Sequence, residues 1–308
     1  MNGLFDNLLM AYFGTKTFDP YKEPFYVECL DYGFSDCIVE FKKRDAGAPT
    51  VYVEYSPDKV NWTALEGTST TGVRVSFSVG RKMYFRCRAN TWGGSAYYQN
   101  NINIYNRYVR LGGNIMSLIY GSNFTGSETT FPANSTYNFH QLFYGNTNIK
   151  YADTLLLPAT TLTEGCYGGM FAGDYQLVSI PTLPATRLDE NCYSSMFSGC
   201  TSLNYAPELP ATTLTWSCYS GMFENCTSLV QAPELPARTI GTQSYMFMFK
   251  GCTSLRYIKC LATNLGQGGT THWVTDVPSG GTFVKNGAMT SWTTGENGIP
   301  DGWTVQNA

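Results

Sequence analysis

Between residues 21 and 112 apolar and polar positions alternate in short runs: Phe25–Leu30, Cys37–Phe41, Val51–Tyr55, Trp62–Leu65, Val73–Val79, Met83–Arg88, Ile102–Tyr105 and Tyr108–Leu111. Turn signals separate them, among them Asp31-Tyr-Gly33, Ser56-Pro-Asp58, Gly67, Gly80 and Gly93-Gly94. A period of two marks strands with one face buried. Short strands at this spacing predict an immunoglobulin-like β-sandwich over 21–112. The order Cys37, Trp62, Cys87 matches the Cys…Trp…Cys pattern only loosely, and free thiols fit it equally well. Residues 1–20 follow a different pattern. Leu4, Phe5, Leu8, Leu9, Tyr12 and Phe13 fall on one face of a helix, which Gly14 and Asp19-Pro20 end. Such a terminal stripe either packs on its own domain or docks on a partner subunit. Docking is the expectation, with Leu4, Phe5, Leu8, Leu9 and Phe13 as the anchor.

After residue 113 the pattern becomes a repeat. Met-Phe recurs at 170/171, 196/197, 222/223 and 248/249, and Leu177, Leu203, Leu229 and Leu255 keep the same 26-residue step. An earlier, degenerate copy begins at Tyr137 and passes through Leu142-Phe143. A fixed period of this length predicts a solenoid whose units bury their apolar sides only against each other. In one unit, Cys192–Phe197 reads as a helical turn and Leu203–Pro207 as a short strand, with Pro207 and Pro210 restricting the chain. The fold class expected is thus β-rich and multidomain: an N-terminal β-sandwich, then an α/β leucine-rich-repeat solenoid of about five coils over 113–265 with its N-terminal cap. Residues 266–308 leave the period and should form the C-terminal cap, with short strands at Gly280–Val284 and Gly302–Val305.

Composition narrows the classes of partner. Net charge is -3 and only 14% of residues are charged. That argues against nucleic acid or an anionic membrane, either of which would need a basic stripe. Tyrosine (22) and glycine (31) are abundant, which suits a surface touching glycans or proteins. No apolar run approaches the ~20 residues of a membrane-spanning helix, so no membrane insertion is expected. Met1 to Thr17 has no basic start, and Asp6 interrupts its apolar stretch, so it does not read as a secretion signal. Six of the ten cysteines fall in two columns, Cys166/Cys192/Cys218 and Cys200/Cys226/Cys252. They read as small buried thiols, or as stacked disulfides in an oxidising setting. Metal binding lacks a C-x-x-C pair and a supply of histidine.

The unit Met-Phe-x-Gly-Cys-Thr-Ser-Leu…Leu-Pro, with Ala206-Pro-Glu-Leu-Pro-Ala-Thr-Thr-Leu214, resembles the BspA-type leucine-rich-repeat proteins of gut Bacteroidales and their crAss-like phages. The flanks Gly113-Asn-Ile-Met-Ser-Leu-Ile-Tyr-Gly121 and Gly298-Ile-Pro-Asp-Gly-Trp-Thr-Val305 are similar to that group's caps, and Glu54-Tyr-Ser-Pro-Asp…Asn61-Trp-Thr to its N-terminal β-domain. The first full repeat departs, with Asp174-Tyr-Gln where later copies have Cys-Thr-Ser. The resemblance implies surface display or virion structure and supplies no catalytic motif.

The two histidines, His140 and His272, lie in no ligand or triad motif, and no P-loop, Rossmann or Gly-x-Ser-x-Gly signature occurs. Glu208 and Glu234 share one repeat position and read as a solvated column; a depolymerase would need an acidic pair in a groove. No catalytic residue, metal ligand or cofactor is therefore expected. The candidate site is the strand face, where Lys150/Tyr151, Asn204/Tyr205 and Arg256/Tyr257 recur in alternate units, suited to a glycan or protein contact unless they only reflect strand propensity. The expectation is a non-enzymatic phage virion protein: a head fibre, decoration or tail-tip protein, homo-oligomeric. It would be held to other virion proteins through its N-terminus and would contact a bacterial surface glycan or protein. The alternative is a bacterial cell-surface adhesin.

Overall fold

The structure, a computed structural model, describes residues 18–31, 35–88 and 100–308. The anchor expected at Leu4, Phe5, Leu8, Leu9 and Phe13 lies outside the described residues. Eight strands form where the alternation places them: β1 (Tyr26–Cys29), β2 (Cys37–Lys43), β3 (Val53–Ser56), β4 (Thr63–Ala64), β5 (Val73–Phe77), β6 (Lys82–Cys87), β7 (Asn100–Tyr105) and β8 (Val109–Asn114). After the short helix α1 (Ser117–Tyr120) come β9 (Ile149–Leu156), β10 (Gln231–Leu235), β11 (Tyr257–Cys260), β12 (Thr282–Lys285) and β13 (Thr304–Asn307).

They make three sheets: a six-stranded one in the order β4-β3-β6-β1-β8-β9, a three-stranded one in the order β5-β2-β7, and a parallel four-stranded one in the order β10-β11-β12-β13. The first two meet through buried rings, with Phe41 of β2 5.1 Å from Phe85 of β6. Glu40 also lies on β2 and is buried. Its carboxylate accepts from Arg74, Tyr105 and Asn103, and these bonds outweigh the opposing effect of burial and hold it below the usual carboxylate range.

The expected fold class is corrected here. A β-sandwich followed by an α/β leucine-rich-repeat solenoid is not what the chain builds. Its described helices are the four residues of α1 and two three-residue 3-10 turns, Pro20–Lys22 and Gly121–Asn123. The rest is β-rich, with several sheets. The six-stranded sheet runs from β8 straight into β9, which pair in parallel from Val109↔Ile149 to Asn114↔Leu156. Nor does a strand form in every unit. No strand spans Pro181 or Pro207, although β10 does span the equivalent Pro233.

The helical turn fails for a backbone reason. Asn191, Ser195 and Gly199 have φ of 54°, 54° and 74°, and the same every-fourth pattern recurs at Ser217, Gly221 and Asn225 and at Gln243, Phe247 and Gly251. A right-handed helix cannot hold a left-handed residue in each turn. Instead the chain forms a ribbon of overlapping tight turns. Even-numbered amides close the turns: Ser194, Met196, Ser198 and Cys200 donate three residues back at 3.1–3.2 Å. Odd-numbered amides reach the next copy: Tyr193 to Cys218, Ser195 to Ser220, Phe197 to Met222 and Gly199 to Glu224, at 2.7–3.0 Å.

This ladder carries two columns of buried rings. Tyr167, Tyr193 and Tyr219 stack at 5.8 Å. Phe143, Phe171, Phe197, Phe223 and Phe249 stack at 5.4–5.9 Å. Phe25 touches Phe143 at 5.9 Å, joining the column to the sheets, and Trp273 ends the tyrosine column 6.3 Å from Tyr245. All ten cysteines are buried free thiols. In one of their columns Cys200, Cys226 and Cys252 donate to the carbonyls of Phe171, Phe197 and Phe223 at 3.1–3.2 Å. Burial pushes the Cys218 thiol up to about 11 and Cys252 to about 12, which suppresses thiolate chemistry.

The hydroxyls of Tyr167, Tyr193 and Tyr219 are buried without a hydrogen-bond partner. Leaving such a group unmade costs about 1–3 kcal/mol. Tyr193→Phe is therefore expected to raise the urea midpoint, with about 1 kcal/mol or more gained. A lower midpoint would show that the hydroxyl is bonded after all.

Candidate functional site

The six residues expected on the strand face lie in three separated places. Tyr151 bridges Ser179, and Gln231 pairs with Tyr257. Between these, the Ile180 N–H donates to the Tyr205 hydroxyl at 3.1 Å and the Val230 N–H to the Asn204 carbonyl at 3.4 Å. The order across the copies is thus Tyr151, Ser179, Tyr205, Gln231, Tyr257. The tyrosines occupy alternate copies, with a smaller or polar side chain between each pair.

Each place has its own chemistry. Tyr151 and Lys150 belong to β9, where the Arg110 guanidinium lies 5.0 Å from the Tyr151 ring and the Lys150 ammonium 5.7 Å from the rings of Tyr108 and Tyr151. Asp153 sits 3.6 Å from Arg110 and accepts from Ser179 at 2.9 Å. This end is a cation–aromatic cluster in which Arg110, Asp153, Lys150 and the two rings face each other, with the Arg110 Nε left without a hydrogen-bond partner among the described residues. At the other end, Arg256 turns back to donate to the Leu255 carbonyl at 2.8 Å, and Tyr257 is half-buried at the start of β11.

The open part is the middle. Tyr205 is 42% exposed and stands between two depressions. One, of about 300 Å³, is walled by Ile180, Pro181, Leu183, Pro184, Pro207 and Pro210. The other, of about 570 Å³, runs past Asn204 to Val230, Gln231 and Pro233. Glu208 borders both and is exposed, with no cation beside it among the described residues. Glu234, one copy on, is 2.9 Å from Lys259, which relieves the like-charge column. The ring is fixed by its own hydroxyl bond, so it presents a face without first losing rotamer freedom. The arrangement can hold a flat apolar face against Tyr205 and the prolines and a donor group at Glu208.

The prolines are the site residues that the sequence reading did not single out as walls. Their 26-residue spacing, Pro181 to Pro207 to Pro233 and Pro184 to Pro210 to Pro236, was the available signal. Among the described residues no group of three histidine, cysteine or acidic side chains could hold a metal ion. No described helix is long and apolar enough to cross a membrane. In comparisons with known proteins, no family model, curated protein or solved structure matches the chain.

Proposed function

We propose that the chain is a non-enzymatic bacteriophage virion protein that presents its stacked repeats for attachment to a glycan or protein of the bacterial surface. The observation that carries the reading is Tyr205: an exposed, hydroxyl-anchored ring flanked on both sides by proline-walled depressions. Rigid aromatic anchors of this kind dominate recognition surfaces. Support also comes from the scaffold behind it, in which every copy is bonded amide by amide to the next. The repeat unit's resemblance to proteins of gut Bacteroidales and their phages points the same way. In the virion the N-terminal segment would make the contact with neighbouring proteins, and the copies would be displayed outward.

Tyr205→Ala is expected to weaken binding to host cells by about 1–2 kcal/mol. Tyr205→Phe keeps the ring but loses the bond from Ile180 that fixes it, so it should weaken binding less than Tyr205→Ala, by about 1 kcal/mol or less. Cell-binding titrations of the two variants, alongside their melting temperatures, test this. If Tyr205→Ala binds host cells as tightly as the parent, the groove is not the attachment surface.

A further inference from the structure

A second cavity lies on the opposite part of the chain, among the strands, and does not rest on the attachment reading. It is built from four segments, one of them the stretch from α1 through the 3-10 turn Gly121–Asn123 to Phe124, which supplies Ser122 and the Phe124 ring. The turn after β3 is stapled by Asp58, which accepts from the N–H groups of Val60 and Asn61 at 2.9 and 2.8 Å, and by Ser56, which accepts from Lys59 at 2.9 Å. This holds Lys59 at φ 64°, a left-handed conformation that side chains other than glycine rarely adopt. The same turn fixes Trp62, whose indole N–H donates to the Lys59 carbonyl at 3.1 Å. From β6, Arg86 lays its guanidinium 4.2 Å from the Trp62 ring while its Nε donates to Glu54 at 2.8 Å. From the turn at Pro20–Lys22, Lys22 closes the third side.

The space between them is about 300 Å³. Its lining holds three cations, the rings of Trp62 and Phe124, and Ser122, and no carboxylate. The balancing acids stand outside that lining: Glu54 beside Arg86 and Arg88, Glu23 3.6 Å from Lys59, and Asp19 3.7 Å from Lys22. Arg86 offers five N–H donors and spends one of them on Glu54. Its terminal nitrogens have no hydrogen-bond partner among the described residues. The volume sits at the low end for small-molecule sites, which suits one ring-sized ligand and not a stretch of polymer.

We propose that this cavity binds one carboxylate-bearing sugar unit, a uronic acid. The carboxylate would take the terminal nitrogens of Arg86 and the ammonium groups of Lys22 and Lys59, as charge-assisted hydrogen bonds favour. The C–H face of the sugar would lie against Trp62 and Phe124, with Ser122 available to a ring hydroxyl.

Isothermal titration of the full chain with D-glucuronate, D-glucose and inorganic sulfate tests this, followed by a glucuronate-containing polysaccharide to separate the free sugar from a polymer-borne one. Glucuronate should bind at least about tenfold tighter than glucose or sulfate, and more weakly as salt is raised. Arg86→Gln and Lys22→Gln should each lower the affinity about tenfold. Because Arg86 also pairs with Glu54, Lys22→Gln is the safeguard: that side chain is 70% exposed, and among the described residues its one ion pair is with Asp19. Equal binding of glucose and glucuronate, sulfate as tight as glucuronate, no heat with any of them, or unchanged affinity in a folded Lys22→Gln would each overturn the proposal.

Discussion

Phe197→Ala is expected to lower stability by about 3–5 kcal/mol, the range for removing a buried phenylalanine whose site cannot collapse. Phe197 is fully buried and lies 5.8 Å from both Phe171 and Phe223, nearly parallel to each. Its neighbours cannot close the gap, because the copies are held at fixed spacing on either side of it. The Phe197 N–H donates to Met222, and the Phe197 carbonyl accepts from the Cys226 thiol. Each stacked pair adds about 0.5–1.5 kcal/mol beyond burial, and the substitution loses two pairs. Cys200→Ala removes one sulfur and one weak bond to the Phe171 carbonyl, so it should cost much less. Urea unfolding of both variants measures the difference. A Phe197→Ala loss below about 1 kcal/mol would show that the copies slide together and that the spacing is soft.

The second large effect concerns Asp174, which takes the place of cysteine in the column Cys200, Cys226, Cys252. Its side chain is fully buried, and neither carboxyl oxygen has a partner. The cause is local. The thiols of that column donate to the phenylalanine carbonyl one copy back, but the corresponding Phe143 carbonyl already accepts from both the backbone and the side chain of Asn146, at 3.1 and 3.0 Å. Burial therefore drives the Asp174 carboxyl well above the usual carboxylate range. The unfolded chain releases this proton near pH 3.9 while the fold keeps it. Each pH unit above that removes about 1.4 kcal/mol until the folded carboxyl ionises.

His140 has the opposite sign. Burial, helped by the charge of Arg44, lowers it to about 4, whereas the unfolded imidazole titrates near 6.5. Its contribution is whole above about pH 6.5 and is lost as pH falls towards 4. Between those values the two slopes oppose and largely cancel. From about pH 6.5 to about pH 7.5 only the Asp174 loss remains; higher still, the buried thiols, raised in the fold while unfolded ones titrate near about 8.5, add a loss of their own. Asp174→Cys should then raise stability at neutral pH by several kcal/mol and leave it level between about pH 6.5 and about pH 7.5. It should also expose the His140 loss of about 3 kcal/mol on the acid side. Unfolding free energies of parent and variant between about pH 4 and about pH 7.5, below the titration of the unfolded thiols, decide it. A parent profile that is already level between about pH 6.5 and about pH 7.5 would mean that Asp174 is ionised and paired.

The early strands were legible from short apolar runs bounded by turn residues: Val73–Phe77 alternates between Gly72 and Gly80, whereas Lys82–Cys87 buries Met83, Tyr84 and Phe85 in succession and was marked by its apolar run after Gly80. The ribbon was not. A glycine column marks one left-handed position, Gly145, Gly173, Gly199 and Gly251 with Asn225 between the last two, but the others fall on Ser195, Ser217, Gln243 and Phe247 as well. The adjacent pair Met196-Phe197, both buried, suits a helical turn as well as a tight turn. The expected α/β unit failed at that point, since the constraint lies in bonds to the next copy and not in local preference. At the candidate site Tyr205 could be found from the repeat. Its proline walls required knowing which copies lie side by side. The cavity at Trp62 joins residues 22, 59, 62 and 86 from separate segments, and alternation alone carries no sign of their meeting.

The alternation of amides has a consequence for how such a chain can vary. A copy receives the preceding copy's odd-numbered N–H groups on one side and offers an equivalent row of its own on the other, as Tyr193 to Cys218 and Tyr219 to Ser244 show. Both edges are therefore interchangeable between copies, and length is quantised. Adding or removing one whole period leaves every junction chemically the same and shifts the outer surface by about one ring spacing, 5.8 Å. A slip of a single residue would exchange inward and outward amides and move the left-handed position from Ser195 onto the buried Met196. Reach can thus be adjusted in steps while the Tyr205 surface keeps its form.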